Sequence, residues 1–370
     1  MHEPINPQVN SSASAVSAPS AAPDASAFDG LPGVVDTLGR ALRDLRISVT
    51  DRCNFRCPYC MPAELYGRDF VFLPHEQVLT FEEVTRLAGV FTGLGVRKLR
   101  ITGGEPLVRT DLPVLVAQLA ALRCADGATI DLTLTTNGSA LRPLARPLAE
   151  AGLRRITVSL DSLDDAVFGA MNGVGFPVAR VLDGIAAARS AGLAPIKINT
   201  VVRRGLNEAS ILPLARWARD EGLILRFIEY MDVGHSNGWR LDDVVPAAEI
   251  LAILDGAMPL KAAAAGYRGE VAGRYEYRDG SGEVGVIASV TQPFCGDCTR
   301  ARLSADGMLY TCLFAVSGVS LKEPLRAGAS DAELVALVRS LWTARGDRYS
   351  EQRSAATRSL PKIEMFALGG

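Results

Sequence analysis

Histidine is nearly absent from this 370-residue chain: His2, His75 and His235 are all it has. These scattered imidazoles leave little for a histidine-built metal centre, and none stands at the finger-like spacing of a structural zinc site. No apolar run approaches the roughly 18–20 residues of a spanning helix, so no membrane association is expected. The 39 Lys and Arg against 41 Asp and Glu give a net charge of −2. That balance supplies no global field for nucleic acid or an anionic lipid surface, although a local basic pocket remains compatible with it. No arginine precedes Arg40 and no basic start leads into an apolar core, so neither a transit peptide nor a secretory signal is read. Cysteine is scarce as well, seven in the chain, which does not suit the disulfide framework of a small secreted domain. A reducing, cytoplasmic setting is expected.

What is present is clustering. Six of the seven cysteines form two triplets, Cys53, Cys57, Cys60 and Cys295, Cys298, Cys312, while Cys124 reads as a semi-buried thiol at a helix end. The first triplet, C-x3-C-x2-C, lies just past an apolar run that reads as a strand. Three thiolates from one tight loop can hold three corners of a cubane iron–sulfur cluster. Such clusters usually take four cysteines, so a three-cysteine site leaves one iron open for a small molecule. A catalytic zinc site keeps one position unfilled by the same logic. For the second triplet the alternative is a zinc knuckle, which would need a fourth ligand.

Composition divides the chain into three parts. Residues 1–36, rich in Ala, Ser and Pro, cannot bury enough apolar area to offset ordering and should form a disordered tail. Over 37–232 strands at 45–49, 98–101, 130–135, 156–160, 196–201 and 223–228 alternate with helices at 80–94, 111–123, 141–151, 178–191 and 207–221. Thr80 with Glu83 reads as a helix start, and Gly95, Gly152, Gly192 and Gly222 as helix ends. Repeats of this kind make a parallel sheet with right-handed crossovers. The expected fold class is α/β, an open, incomplete (β/α)6 barrel. Over 233–370 the rhythm breaks into a loop, a short helix at 246–254, short strands within 271–291 and a helix at 331–345. This C-terminal α+β extension includes a hairpin about Ala305-Asp306-Gly307 that returns Cys312 toward Cys295 and Cys298.

The strands alternate where an ordinary barrel strand would be apolar on both faces. Leu45, Ile47 and Val49 oppose Arg46 and Ser48; Leu99 and Ile101 oppose Lys98, Arg100 and Thr102. Leu132 and Leu134 oppose Asp131, Thr133 and Thr135; Ile156, Val158 and Leu160 oppose Thr157, Ser159 and Asp161; Ile196 and Ile198 oppose Lys197 and Asn199. Helices cover the apolar face, so the polar set points inward. A lumen lined by Arg46, Lys98, Arg100 and Lys197 is costly unless it holds a polyanion. Arg226, on the sixth strand, is a further candidate, and the competing role for it and Lys98 is an ion pair with Asp131 or Asp161.

Tyr59 before the third cysteine of the C-x3-C-x2-C loop, followed by Gly103-Gly104-Glu105-Pro106 after the second strand, resembles the radical S-adenosylmethionine superfamily. The C-x2-C-x13-C spacing of the second triplet, Thr299-Arg300-Ala301-Arg302 and the terminal Gly369-Gly370 are similar to the GTP 3′,8-cyclase family within it. The resemblance runs from about residue 38 to residue 370. It implies two 4Fe-4S clusters, one on each triplet, with S-adenosyl-L-methionine on the open iron of the first. It implies S-adenosylmethionine contacts at Tyr59, Gly104, Ser159 and Met231, and GTP contacts at Arg46, Arg100, Thr135, Lys197, Arg300 and Arg302. A 5′-deoxyadenosyl radical would take hydrogen from C3′ of the GTP ribose. Closure onto guanine C8 would give 3′,8-cyclo-7,8-dihydroguanosine triphosphate, a step toward molybdenum cofactor. Gly369 and Gly370 match a family tail that enters the active site. The resemblance further implies an electron donor of the reductase or flavodoxin type and a downstream cyclic pyranopterin monophosphate synthase, and it leaves a homodimer open. The alternative reading is a two-cluster, peptide-modifying maturase, which has less use for a phosphate-sized group of cations.

Overall fold

The computed structural model describes residues 33–353 and 362–369. Most of the 1–36 tail, together with Gly370, lies outside the described residues. The packed chain begins before the expected boundary, since Val34 and Asp36 are already buried.

Six strands carry the expected βα rhythm: β1 (Asp44–Ser48), β2 (Lys98–Thr102), β3 (Asp131–Thr136), β4 (Arg155–Ser159), β5 (Ile196–Val202) and β6 (Ile224–Glu229). Between them run α1 (Phe81–Gly93), α2 (Leu112–Ala121), α3 (Leu141–Glu150), α4 (Asp165–Asn172), α5 (Val178–Ser190) and α6 (Ile211–Asp220). Thr80 and Glu83 form a reciprocal capping box, with Glu83 N–H donating to Thr80 Oγ1 at 3.2 Å and Thr80 N–H to Glu83 Oε2 at 2.8 Å. Of these helices α4 is the one the periodicity does not predict. Its signals are short-range: the Asp164 side chain accepts from Val167 N–H at the start, and Gly173 closes the end at φ 68°.

The C-terminal part contributes α7 (Ala247–Ala257), β7 (Leu260–Ala263), β8 (Gly273–Tyr277), β9 (Glu283–Ile287), β10 (Arg300–Leu303), β11 (Met308–Tyr310), β12 (Val319–Ser320), α8 (Lys322–Arg326) and α9 (Asp331–Thr343). These strands extend the same sheet at both edges, in the order β12-β11-β10-β1-β2-β3-β4-β5-β6-β9-β8-β7. β10 lies parallel to β1, and β9 parallel to β6. The sheet therefore runs unbroken from 37–232 into 233–370.

The sheet also curls. Lys98 on β2 reaches Tyr267, in the β7–β8 loop, at 3.0 Å, and Arg300 on β10 reaches the Gly269 carbonyl at 3.5 Å. That loop hangs from the opposite end of the strand order, so the contacts require the inner face to close into a lumen. Outside it, Leu45, Ile47, Leu99, Ile101, Leu134 and Ile198 are fully buried under the helices. Truncating one of these to alanine would cost about 2–5 kcal/mol.

Candidate functional site

The first triplet sits in the loop leaving β1, at the C-terminal mouth of the lumen. Gly103 and Gly104 lay the end of β2 directly against that loop. Gly104 N–H donates to Thr50 O and Glu105 N–H to Arg52 O, both at 2.8 Å. A Cβ on Gly104 would stand 2.3 Å from Arg52 O, and one on Gly103 2.4 Å from Thr50 O, so only glycine permits the approach. Glu105, 1% exposed, accepts from Leu107 N–H, Thr136 Oγ1 and Asn137 N–H, which ties this loop to the end of β3. On the other side α4 ends against the triplet, with Arg56 N–H donating to Asn172 O at 2.8 Å.

The thiols suit a cluster. Phe55 N–H donates to Cys53 Sγ at 3.4 Å, and Asn137 Nδ2 stands 4.0 Å from the same sulfur. Bonds of this kind to cysteine sulfur tune iron–sulfur centres. Burial, with Glu105 nearby, pushes the Cys53 thiol up to about 11. Burial, then Asp161 and the other two thiols, raises Cys57 well above its ordinary value. Three thiolates here need a cationic centre to hold them. Among the described residues no group of three His, Cys, Asp or Glu is gathered as for a single metal ion.

Tyr59, Gly104, Ser159 and Met231 come from the loop after β1 and from the C-terminal ends of β2, β4 and β6, so all four lie at the same mouth. Tyr59 Oη donates to Asp161 Oδ2 at 2.8 Å. Burial lifts the Asp161 carboxyl to about 7, against the pull of this bond and of Val201 N–H.

Below the mouth the cations stack in registered rows. Arg46 is level with Arg302 on one side and Arg100 on the other; Asp44 is level with Arg300 and Lys98. Arg100 Nη1 donates to Thr135 Oγ1 at 2.8 Å and Thr157 Oγ1 at 3.2 Å, and Arg226 Nη2 to the same Thr157 oxygen at 3.3 Å. Yet Arg46 Nε, Arg100 Nε and Arg226 Nε are buried with no partner among the described residues. Burial, with Arg302, Arg100 and Arg300 beside it, drives Arg46 well below its ordinary value. Burial, then Arg226 and Arg155, brings the Lys197 ammonium down to about 7. Neither competing ion pair forms: Asp131 pairs with Arg155, Asp161 holds Tyr59, and Lys98 lies 3.8 Å from Asp44. Orphaned buried donors and depressed cations describe a cradle for a polyanion.

The second triplet lies at the other end of this stack. β10 runs parallel to β1, so Cys295 and Cys298, which precede it, stand at the N-terminal end of the strands. β11 is antiparallel to β10 and brings Cys312 back to that end. Arg300 Nη2 is 3.3 Å from Cys298 Sγ, and Phe314 N–H donates to Cys312 Sγ at 3.4 Å. Burial opposes the Cys298 thiolate, but Arg300 and Arg345 hold its pKa down at about 6. Cys124 is buried, at 5% exposure, in the turn after α2.

The C-terminal segment enters the lumen. Phe366 packs on Met61 and Tyr66 beside the first triplet, and Glu364 accepts from His235 N–H and Ser236 Oγ. Gly369 ends between Ser48 and Thr102, with its carbonyl 3.0 Å from Arg302 Nη1 and 3.4 Å from Arg46 Nη1. Gly370 and Pro361 lie outside the described residues. Of the lumen residues described above, the sequence reading misses four. Asp44 opens β1 on its inward parity, one residue before the expected start. Arg155 belongs to the inward parity of β4, which begins one residue earlier than expected; Tyr267 and Glu270 come from a loop with no periodic signal.

Residues 47–218 match the Radical SAM superfamily model and residues 223–351 the Molybdenum Cofactor Synthesis C model. The GTP 3′,8-cyclase of Acidothermus cellulolyticus is 58% identical over 86% of this chain and 88% of its own. Those of Xanthomonas axonopodis pv. citri and Staphylococcus saprophyticus are 51% and 48% identical, over 90% and 91% of this chain and 98% and 99% of theirs. Among solved structures, Streptococcus suis SuiB bound to S-adenosylmethionine superposes with a TM-score of 0.57 at 16% identity, over 89% of this chain and 78% of that one. The anSMEcpe structure with bound AdoMet gives 0.53 at 13% identity, over 87% and 93%; at such identities these likenesses establish the fold. With its two cysteine triplets at opposite ends of a cationic half-barrel, the chain belongs to the GTP 3′,8-cyclase family of radical S-adenosylmethionine enzymes.

Proposed function

We propose that this protein converts GTP to 3′,8-cyclo-7,8-dihydroguanosine triphosphate in molybdenum cofactor biosynthesis. The observation that carries the reading is the stack of Arg46, Arg100, Lys197, Arg300 and Arg302 between two cysteine triplets at opposite ends of one lumen. Cys53, Cys57 and Cys60 would hold a 4Fe-4S cluster, with S-adenosylmethionine against Tyr59, Gly104, Ser159 and Met231. Cys295, Cys298 and Cys312 would hold a second such cluster. Bound at the first triplet, cluster and S-adenosylmethionine supply hydrogen-atom abstraction, directed here at ribose C3′.

The chain's own residues position the nucleotide. Arg46, Arg100, Arg300 and Arg302 donate to phosphate oxygens through planar forks, with Lys98, Lys197 and Arg226 as flanking charges and Thr135 orienting Arg100. Gly369 closes the lumen beside the substrate. In this reading 37–232 generates the radical and 233–370 selects the substrate. The electron donor is of the reductase or flavodoxin type, and the product passes to a cyclic pyranopterin monophosphate synthase. The enzyme works in the cytoplasm, and a homodimer is its candidate assembly.

The peptide-modifying alternative loses its support, because the relatives at 47–58% identity are cyclases and the lumen is built for phosphate. The test is anaerobic reconstitution followed by turnover with GTP and S-adenosylmethionine. About eight irons per chain and a cyclised triphosphate are expected. Unchanged GTP, or eight irons remaining after Cys295→Ala, would refute the reading.

A further inference from the structure

Two arginines from opposite ends of the chain meet beneath the second triplet. Arg40 and Arg345 are 1% and 4% exposed. Arg40 Nη1 donates to Cys295 O at 2.7 Å and Arg345 Nη1 to Cys298 O at 2.8 Å, so each guanidinium grips one end of the cysteine turn. They share a carboxylate: Asp36 Oδ2 accepts from Arg40 Nε at 2.6 Å and from Arg345 Nη1 at 3.3 Å. Asp347 Oδ2 takes Arg345 Nε at 3.3 Å, but its side chain is 35% exposed and its charge is screened. Trp342 fixes the pair, donating Nε1–H to Arg40 O at 3.0 Å while the Arg345 guanidinium lies 4.5 Å from a ring centroid of the same indole. Arg40 Nη2 has no partner among the described residues. With Arg300 against Cys298 Sγ, three guanidinium groups stand on this triplet against Asp36 and the part-exposed Asp347. The other carboxylates at the turn, Asp297 and Glu351, are each paired with an arginine of their own, Arg268 and Arg348, so a positive excess remains.

The first triplet also has a cation, Arg56, whose Nη1 donates to Cys53 O at 2.7 Å, but here carboxylates outnumber it. Glu105 holds Asn137, whose side chain approaches Cys53, and Asp161 holds Tyr59, next in sequence to Cys60. Glu364 stands over the same loop from the C-terminal segment and adds its negative charge at Cys60. A nearby positive charge favours the cluster state that carries the additional electron, and a nearby negative charge disfavours it.

We propose that Arg40 and Arg345 are positioning residues of the second cluster. They hold the 295–298 turn by its carbonyls and, with Arg300, make the cluster there easier to reduce than the one on Cys53, Cys57 and Cys60. Two buried guanidinium groups are too costly to keep as packing alone. The proposal rests on the reading that both triplets carry clusters.

The test is a dithionite titration of the anaerobically reconstituted full chain, followed by electron paramagnetic resonance. Each midpoint is assigned with variants that lack the other triplet. The second cluster should titrate at the higher potential. Arg345→Gln should move its midpoint to more negative values and leave the first in place, with Arg345→Lys lying between. An unmoved second midpoint in an eight-iron Arg345→Gln protein, or an equal shift of both, overturns the inference and leaves the proposed function standing. If Arg345→Gln holds only about four irons, the lysine variant decides. Eight irons and a near-native midpoint uphold a charge-based role, whereas loss of the cluster there too overturns it. A wild-type protein with four irons would remove the proposed function and this inference together.

Discussion

Arg302 Nη1 donates to the carbonyl of Gly369 at 3.0 Å, so the last described residue of the chain occupies a guanidinium assigned to the substrate. Arg46 leans on the same oxygen at 3.4 Å. The two arginines are level across β1 and β10, and the tail carbonyl takes the position between them that an anionic oxygen would take. Burial, then Arg300, brings Arg302 down to about 10. In the proposed function, phosphate competes with, or shifts, this contact.

Gly369→Ala tests the fit of that tail. The residue sits at φ 65°, and an added Cβ would stand 2.2 Å from Thr102 Cγ2 and 2.8 Å from Ser48 Oγ. A left-handed conformation alone costs an alanine about 1–2 kcal/mol, and the clash adds to it. We expect the tail to leave the lumen, cyclisation to fall by at least about tenfold and the iron content to stay unchanged. Turnover and iron analysis of one preparation check both; full activity would show that the tail has no seat of consequence.

Gly104→Ala should act on the other cluster. Its Cβ would lie 2.3 Å from Arg52 O in the loop that presents Cys53. The backbone must move, and the cysteine loop moves with it. Iron per chain should drop to about four, all of it on the second triplet. Retention of the full complement would mean that the loop accommodates the methyl group without losing its geometry.

Much of this site was legible because it obeys parity. Arg46, Arg100, Thr135 and Lys197 follow from a two-residue period that sends Leu45, Leu99 and Ile198 to the helices. Arg155 escaped because it opens β4, where propensity gives no firm start. Tyr267 and Glu270 escaped for a deeper reason: their loop approaches Lys98 only because the sheet curls, and curl is a property of all the strands together. The addition of β9 and β10 to opposite edges was equally unreadable, since nothing in a short strand names its neighbour. The meeting of Arg40 and Arg345 depends on it.

Arg100 should matter through its fork as much as its charge. Nη1 is engaged by Thr135 and Thr157, while Nε is buried without a partner among the described residues. One charge-assisted bond contributes about 1.5–3 kcal/mol, so Arg100→Ala should weaken GTP binding by roughly 10–100-fold. Arg100→Lys should recover only part of this, because an ammonium cannot span the threonines and a phosphate oxygen at once. Both variants should keep their iron. Calorimetric affinities identical to wild type would separate Arg100 from the substrate.

Lys197 makes substrate binding depend on pH. Burial, then Arg226 and Arg155, holds its ammonium at about 7 against an ordinary 10.5. For folding the sign follows directly. Between these values the unfolded chain binds the proton and the folded protein does not, so stability gains from this group as pH rises through that window. For binding the sign reverses. A triphosphate restores the charge on Lys197, so association above pH 7 must take up a proton, and affinity should decline as pH rises from there. Titration calorimetry in two buffers of different ionisation enthalpy should report an uptake approaching one proton at pH 8. Lys197→Met should abolish the uptake and flatten the pH dependence while binding GTP more weakly at pH 6. Equal proton uptake in wild type and variant would assign the effect to another group.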